Sequence, residues 1–219
     1  MSDDNQKMSR YSYAASLTLL QQQEVEVNTV LEIGAAEGFL YLKRLQLNLY
    51  PKAFQVFIDC MEENQEIYEL YKKKVPSDYV IAAADKADGE ISLAIDPGCY
   101  NTHIKGVQSD ALQTDKENYT ERKVKARSLD SIVAERKYKP PYYIHLDVQG
   151  NELNALQGAV DTLKNTNIVV SELQLFGSDS NLDKVVMISP SKSLVASLPD
   201  GKIPDRDDFK NLDNDSRIA

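Results

Sequence analysis

Five acidic side chains stand at or beside the end of an apolar, β-favouring run: Glu32, Asp59, Asp85, Asp147 and Glu172. In a doubly wound parallel sheet, ligands bind outside the carboxyl ends of the strands. Acids in that position meet hydroxyl or cationic groups of a ligand, or move protons. The first of them, Glu32, lies inside Thr29–Ile33 and is followed by Gly34, Ala35, Ala36, Glu37 and Gly38. Gly34 allows a sharp turn and a close backbone approach, since no Cβ stands in the way. The order is strand, glycine turn, helix.

The spacing separates two cofactor classes. A dinucleotide fingerprint needs G-x-G-x-x-G. This loop offers Gly34 and Gly38 with Ala36 between them, which fits S-adenosylmethionine (SAM) better than a nicotinamide dinucleotide. Glu32 then meets the ammonium end of the methionyl group, directly or through water. The plainer alternative is an ordinary strand-to-helix turn with a capping glutamate.

Asp59 follows about twenty residues after the glycine loop, at the end of the run Ala53–Ile58. A carboxylate there is placed to accept two hydrogen bonds from a ribose diol. It also serves as a turn residue before the next helix. Asp85 ends Tyr79–Ala84 and borders a possible adenine pocket, accepting from the exocyclic amine. In Tyr142–Asp147, alternation puts Tyr143, His145 and Asp147 on one face. His145 and Asp147 are then about 6.6 Å apart along the strand. A histidine beside an aspartate has a raised pKa and a fixed tautomer, which suits a general base acting on a hydroxyl. A purely structural pair is the competing reading. Glu172, at the tip of Ile168–Glu172, is a further catalytic candidate. Glu152 reads as an N-terminal helix charge.

The elements that must position these groups are legible in the periodicity. Tyr11–Gln23 reads as a helix packing beside the site or on a partner. Helical spacing follows in Phe39–Leu49, with Leu42, Leu45 and Leu49 in line, and in Glu62–Lys74, acidic at its start and basic at its end. Glu90–Ile95 alternates as a half-buried strand. Asp96–Glu121 is the least regular stretch and reads as a lid over the acceptor, with Asn101 and His103 its most useful residues for binding substrate. Strand Lys123–Arg127 leads to a helix capped by Ser128 and running to Lys137. Helix Glu152–Leu163 presents Leu153, Leu156, Val160 and Leu163 on one face. Val185–Ser189 and Leu194–Leu198 read as a closing antiparallel hairpin.

The fold class is therefore α/β: a doubly wound, mostly parallel sheet closed by the hairpin. Residues 1–23 form a lead-in and helix, 24–199 a single domain, and 200–219, rich in Asp and Lys/Arg, a disordered tail. A length of 219 residues, 42% hydrophobic and 27% charged, suits one soluble domain. The net charge of −9 argues against nonspecific nucleic-acid or anionic-membrane binding. No apolar run approaches the roughly 20 residues of a bilayer span, and residues 1–10 lack an apolar signal core. Two cysteines, Cys60 and Cys99, suggest neither a disulfide framework nor a zinc site, so a cytoplasmic location and no metal are expected.

In register, these segments resemble the FkbM family of SAM-dependent methyltransferases. The matches are Val-Leu-Glu-Ile-Gly-Ala-Ala-Glu-Gly (30–38), Val-Phe-Ile-Asp (56–59), Ala-Ala-Ala-Asp-Lys-Ala-Asp-Gly-Glu (82–90), Ser-Leu-Asp-Ser-Ile (128–132), Ile-His-Leu-Asp-Val-Gln-Gly-Asn-Glu-Leu-Asn-Ala-Leu-Gln-Gly-Ala (144–159) and Val-Val-Ser-Glu (169–172). The Asp-Val-x-Gly-x-Glu-Leu block is the most specific. The resemblance implies a seven-stranded, Rossmann-like class I methyltransferase fold and transfer to a hydroxyl oxygen of a sugar, polyketide or related small metabolite or glycan. It gives the methionyl end of SAM to Glu32, Gly34, Ala35 and Gly38, the ribose to Asp59 and the adenine edge to Asp85. Asp147 falls on the family's strand-tip Asp.

The chain departs from the family pattern at His145 (usually Lys), Gln149 (usually Glu), Ala36 (usually Asn), and Asp59-Cys60 (usually Glu-Pro). These departures motivate a second reading, a catalytically degenerate SAM-binding partner subunit. A nicotinamide oxidoreductase is disfavoured by the missing middle glycine. The acceptor and the oligomeric state are left open.

Overall fold

The structure is a computed structural model, which describes residues 20–22, 24–36, 43–95, 102–104, 119–171, 185–188 and 195–196. In chain order the elements are β1 (Thr29–Ile33), α1 (Lys43–Leu49), β2 (Phe54–Asp59), a 3-10 turn (Glu62–Asn64), α2 (Gln65–Lys72), β3 (Ser77–Ile81), β4 (Ala83–Ala84), β5 (Gly89–Ile95) and β6 (His103–Ile104). They continue with β7 (Thr120–Arg127), α3 (Leu129–Arg136), β8 (Tyr142–Leu146), α4 (Glu152–Gln157), α5 (Val160–Leu163), β9 (Thr166–Ser171), β10 (Val185–Ile188) and β11 (Val195–Ala196).

Seven strands form the main sheet in the order β11-β10-β9-β8-β1-β2-β3. The pairs β9-β8, β8-β1, β1-β2 and β2-β3 are parallel. β10 is antiparallel to β9, and β11 to β10, so the expected hairpin closes that edge. Every residue of β1 and β8 is buried, as strands covered on both faces require. One face carries Leu31, Ile33, Val56, Ile58, Ile144 and Leu146 against Leu129, Ile132, Ala155 and Leu156. The other carries Val30, Tyr143, Ile168 and Val170 against Leu20 and Tyr50. The N-terminal helical segment, described at residues 20–22, thus reaches the sheet's own core through Leu20.

Two expected elements divide. Tyr79–Ala84 is not one strand: β3 belongs to the main sheet, whereas β4 joins a second sheet of order β4-β7-β5-β6. The chain changes sheets at Ala82, whose N–H donates to Asp59 O at 2.8 Å. Glu152–Leu163 is likewise not one helix. It breaks between α4 and α5 at Gly158 and Ala159. A Cβ on Gly158 would lie 2.1 Å from Asp85 O, so this glycine marks backbone packed on backbone. The expected apolar face holds in part: Leu156 is buried and Leu163 packs against the core, whereas Leu153 is 60% and Val160 57% exposed. Ala155 and Ala159 face the core beside Leu156.

Ser128 caps α3 as expected, its side chain accepting from Ser131 N–H at 3.2 Å. β7 starts at Thr120, so the expected irregular stretch is shorter at its end than the sequence suggests. The remainder of the expected lid lies outside the described residues, apart from Thr102 and the short strand β6, which pairs with β5.

Candidate active site

The sheet order reverses between β1 and β8. From β1 the chain builds outward through β2 and β3, whereas β8 and β9 lie on the other side. Such a switch point opens the crevice used by ligands in doubly wound folds. Here the turn after β1 and the loop after β8 touch. Gly34 N–H and Ala35 N–H donate to Ile58 O at 2.9 and 3.2 Å, and Asp147 N–H donates to Ile33 O at 3.0 Å. Gly34 has φ +75°, and a Cβ on it would stand 1.8 Å from Asp147 O. Both facts demand glycine, for conformation and for space.

Ala36 also has a positive φ, +46°, which a residue with a Cβ adopts at a cost. Its peptide groups are held from both sides. Its N–H donates to Asp59 Oδ2 at 2.7 Å, and its carbonyl accepts from the Tyr68 hydroxyl at 2.5 Å. Asp59 Oδ1 accepts Met61 N–H at 2.7 Å. Asp59, 7% exposed, therefore does the work of a turn residue and also reaches back to the glycine loop. Both of its carboxylate oxygens thus accept backbone N–H groups, one from each side of the crevice wall.

His145 meets a carboxylate on the neighbouring strand. It is fully buried, and its Nδ1 lies 2.6 Å from Glu32 Oε1. The reason is register: Glu32 and His145 sit opposite each other on β1 and β8, where parallel strands are about 4.8 Å apart, closer than residues two apart in one strand. Asp147 has left the strand and its alternation. It is partly exposed and accepts from Gln149 Nε2 at 3.1 Å. Beneath His145, the Tyr143 hydroxyl accepts from Gln46 Nε2 at 3.1 Å, which fixes α1 over this face.

The loop after β8 is shaped by a residue the sequence reading set aside. Glu152 is 6% exposed rather than a solvated helix charge. Its Oε1 accepts Val148 N–H and Gly150 N–H, both at 3.2 Å. Between them, Gln149 and Gly150 take φ +50° and +97°. Burial, partly offset by these N–H donors, holds the Glu152 carboxyl above the ordinary glutamate range, with the Asp147 charge a smaller contribution. Asn151 Nδ2 donates to Ala84 O at 2.8 Å, binding this loop to the segment that ends at Asp85. Asp85 is partly exposed, and its N–H donates to Arg127 O at 3.0 Å.

The structure thus brings Glu32, Gly34, Ala35, Asp59, His145 and Asp147 to the carboxyl ends of β1, β2 and β8, with Asp85 one connection away. Gly38, Asn101 and Glu172 lie outside the described residues, as does the side chain of His103. Two further groups carried too little signal in the sequence. Tyr68 is one tyrosine in a polar helix, without a motif. Glu152 sat inside the Asp-Val-x-Gly-x-Glu block, and that spacing was the signal for it. Cys60, beside Asp59, is no nucleophile: burial first and the Asp59 charge second push its thiol up to about 12. No group of three or more His, Cys, Asp or Glu residues that could hold a metal ion occurs among the described residues, and no helix among them is long and apolar enough to cross a membrane.

The fold is an α/β domain with a switch point between β1 and β8, where the candidate site lies. A family model described as the methyltransferase FkbM domain matches residues 32–195, which is most of the 219-residue chain. The chain belongs to the FkbM methyltransferase domain family. Among solved structures it is similar to a methyltransferase FkbM from Methylobacillus flagellatus KT, at 15% identity and a TM-score of 0.43. That similarity covers 66% of this chain and 32% of the other, so the chain spans about a third of that protein's length. Among curated protein sequences there is no significant match.

Proposed function

We propose that the protein is a SAM-dependent O-methyltransferase acting on a hydroxyl of a sugar, polyketide or related small metabolite. The observation that carries the reading is the closed contact of the Gly34 turn with the Asp147 backbone, beside an Asp59 carboxylate that holds the Ala36 N–H of the same loop. Membership of the FkbM methyltransferase family gives it the reaction class.

In this reading Asp59 holds the ribose, Gly34, Ala35 and Gly38 lie along the methionyl end, and Asp85 borders the adenine. When bound, SAM supplies a methyl group made electrophilic by its sulfonium. The protein then has to orient an acceptor oxygen and take its proton. Asp147 is the base that fits, since its carboxylate is partly exposed at the strand tip. His145 has no exposed surface and serves this reading by tying β8 to Glu32. Through that bond it fixes the strand from which Asp147 emerges. Glu172 is kept as a further acceptor-side acid, and Asn101 and His103 as substrate-binding groups.

The burial of His145 against Glu32 favours one alternative, a SAM-binding partner subunit without turnover, because it withdraws a base from the crevice. Calorimetric titration with S-adenosylhomocysteine, followed by a methyl-transfer assay on sugar and polyketide hydroxyls, separates the two. Micromolar binding with transfer abolished in Asp147→Asn supports the enzyme. Binding with no transfer to any acceptor supports the subunit. No binding at millimolar ligand overturns both.

A further inference from the structure

We infer that Tyr68, in α2, is a positioning residue that locks the donor-binding loop in its left-handed turn, and that donor affinity depends on its hydroxyl. This rests on the SAM reading above. Ala36 holds φ +46° without the freedom of glycine. An alanine at such a backbone conformation is less stable than in its preferred regions, so the surrounding contacts must hold it. Asp59 grips its N–H from one side, and the Tyr68 hydroxyl grips its carbonyl from the other.

The geometry makes Tyr68 a rigid support. Its side chain is fully buried. Its ring stacks on Phe57, with centroids 5.3 Å apart and planes 2° from parallel, and lies 5.6 Å from the Tyr79 ring. Phe57 is the register partner of Glu32 on the neighbouring strand. The hydroxyl is therefore fixed relative to the sheet, and α2 reads out on the loop through one hydrogen bond. Burial, reinforced by the charge of Asp59, keeps the phenol protonated well above the ordinary tyrosine range, so it donates at any working pH.

Substituting Tyr68→Phe removes the hydroxyl and keeps the stack. Two measurements test the inference. Amide hydrogen exchange on the ligand-free protein should show Ala36 N–H exchanging faster in Tyr68→Phe. Calorimetry with S-adenosylhomocysteine should show roughly five- to twenty-fold weaker binding, the loss expected for one hydrogen bond worth about 1–1.8 kcal/mol. Asparagine tolerates the left-handed region better than alanine, so adding Ala36→Asn to Tyr68→Phe should restore most of the affinity. A hydroxyl acting only through general packing would not be rescued from position 36.

Unchanged exchange at Ala36, unchanged affinity in Tyr68→Phe, or failure of Ala36→Asn to rescue overturns the inference while leaving the SAM reading intact. Absence of binding by the unmodified protein instead removes the SAM reading, and with it the link to donor affinity. The two failures are told apart by whether the parent chain binds.

Discussion

Single residues at the crevice make opposing demands on one another, and substitutions there should separate them. Gly34→Ala introduces a Cβ 1.8 Å from Asp147 O at φ +75°; neither the backbone nor the neighbour can yield, so we expect a lowered urea midpoint and loss of S-adenosylhomocysteine binding together. In Asp59→Asn the amide NH₂ meets one of the two N–H donors now facing carboxylate oxygens. Leaving that donor unsatisfied should cost about 1–3 kcal/mol of stability, with weaker ligand binding, read by urea unfolding and calorimetry. Glu152 gives a pH signature. Its folded carboxyl titrates above the ordinary value of 4.5, so folding favours its neutral form. That contribution is fully present below the ordinary value and is lost as pH rises through the raised one. Glu152→Gln keeps an oxygen for Val148 and Gly150 N–H and removes the charge. Its stability relative to the parent should therefore improve as pH rises through this window. Glu152→Ala should lose about 1–3 kcal/mol throughout. Urea titrations across that range check both.

Among the elements, the broken helix α4–α5 is the sharpest test of packing. Leu153 and Val160 are exposed, while Leu156 lies in the core. Leu156→Ala should cost roughly 2–5 kcal/mol, whereas Leu153→Ala should stay within about 0.5 kcal/mol. Equal losses would contradict this pattern of burial. Gly158→Ala, whose Cβ would stand 2.1 Å from Asp85 O, should destabilise by roughly 1–3 kcal/mol or more through overpacking, although alanine favours helices. The sequence located this helix but not its break. A glycine in a helical pattern is ambiguous until the backbone it packs on is known, and Asp85 is more than seventy residues away along the chain. Tyr79–Ala84 failed for a related reason: an apolar run says that a strand is buried, not which sheet it joins.

At the scale of the whole molecule, a parallel sheet with an antiparallel edge holds the carboxyl ends of β1, β2 and β8 together, and the acids at those ends share one crevice. Methyl transfer from SAM needs no Lewis acid, because the leaving group is already a sulfonium. We therefore expect transfer activity to persist in EDTA; loss of activity restored by magnesium would contradict this.

What the sequence determined by itself was the order of strands, helices and glycine turns, the mostly parallel sheet, the hairpin at its edge and the family. These are readable because burial and backbone conformation leave local periodicities and because Gly34 has no substitute at its turn. It also fixed which acids reach strand tips, through Glu32, Asp59, Asp85 and Asp147. Only the tertiary structure decided their partners. Glu32 took His145, Asp59 took Ala36 and Met61, and Glu152 took Val148 and Gly150. Hydrogen bonds across strands follow register, and register is set by how whole elements pack. Nothing in the spacing of His145 and Asp147 along one strand records that His145 also meets the Glu32 carboxylate on the strand beside it.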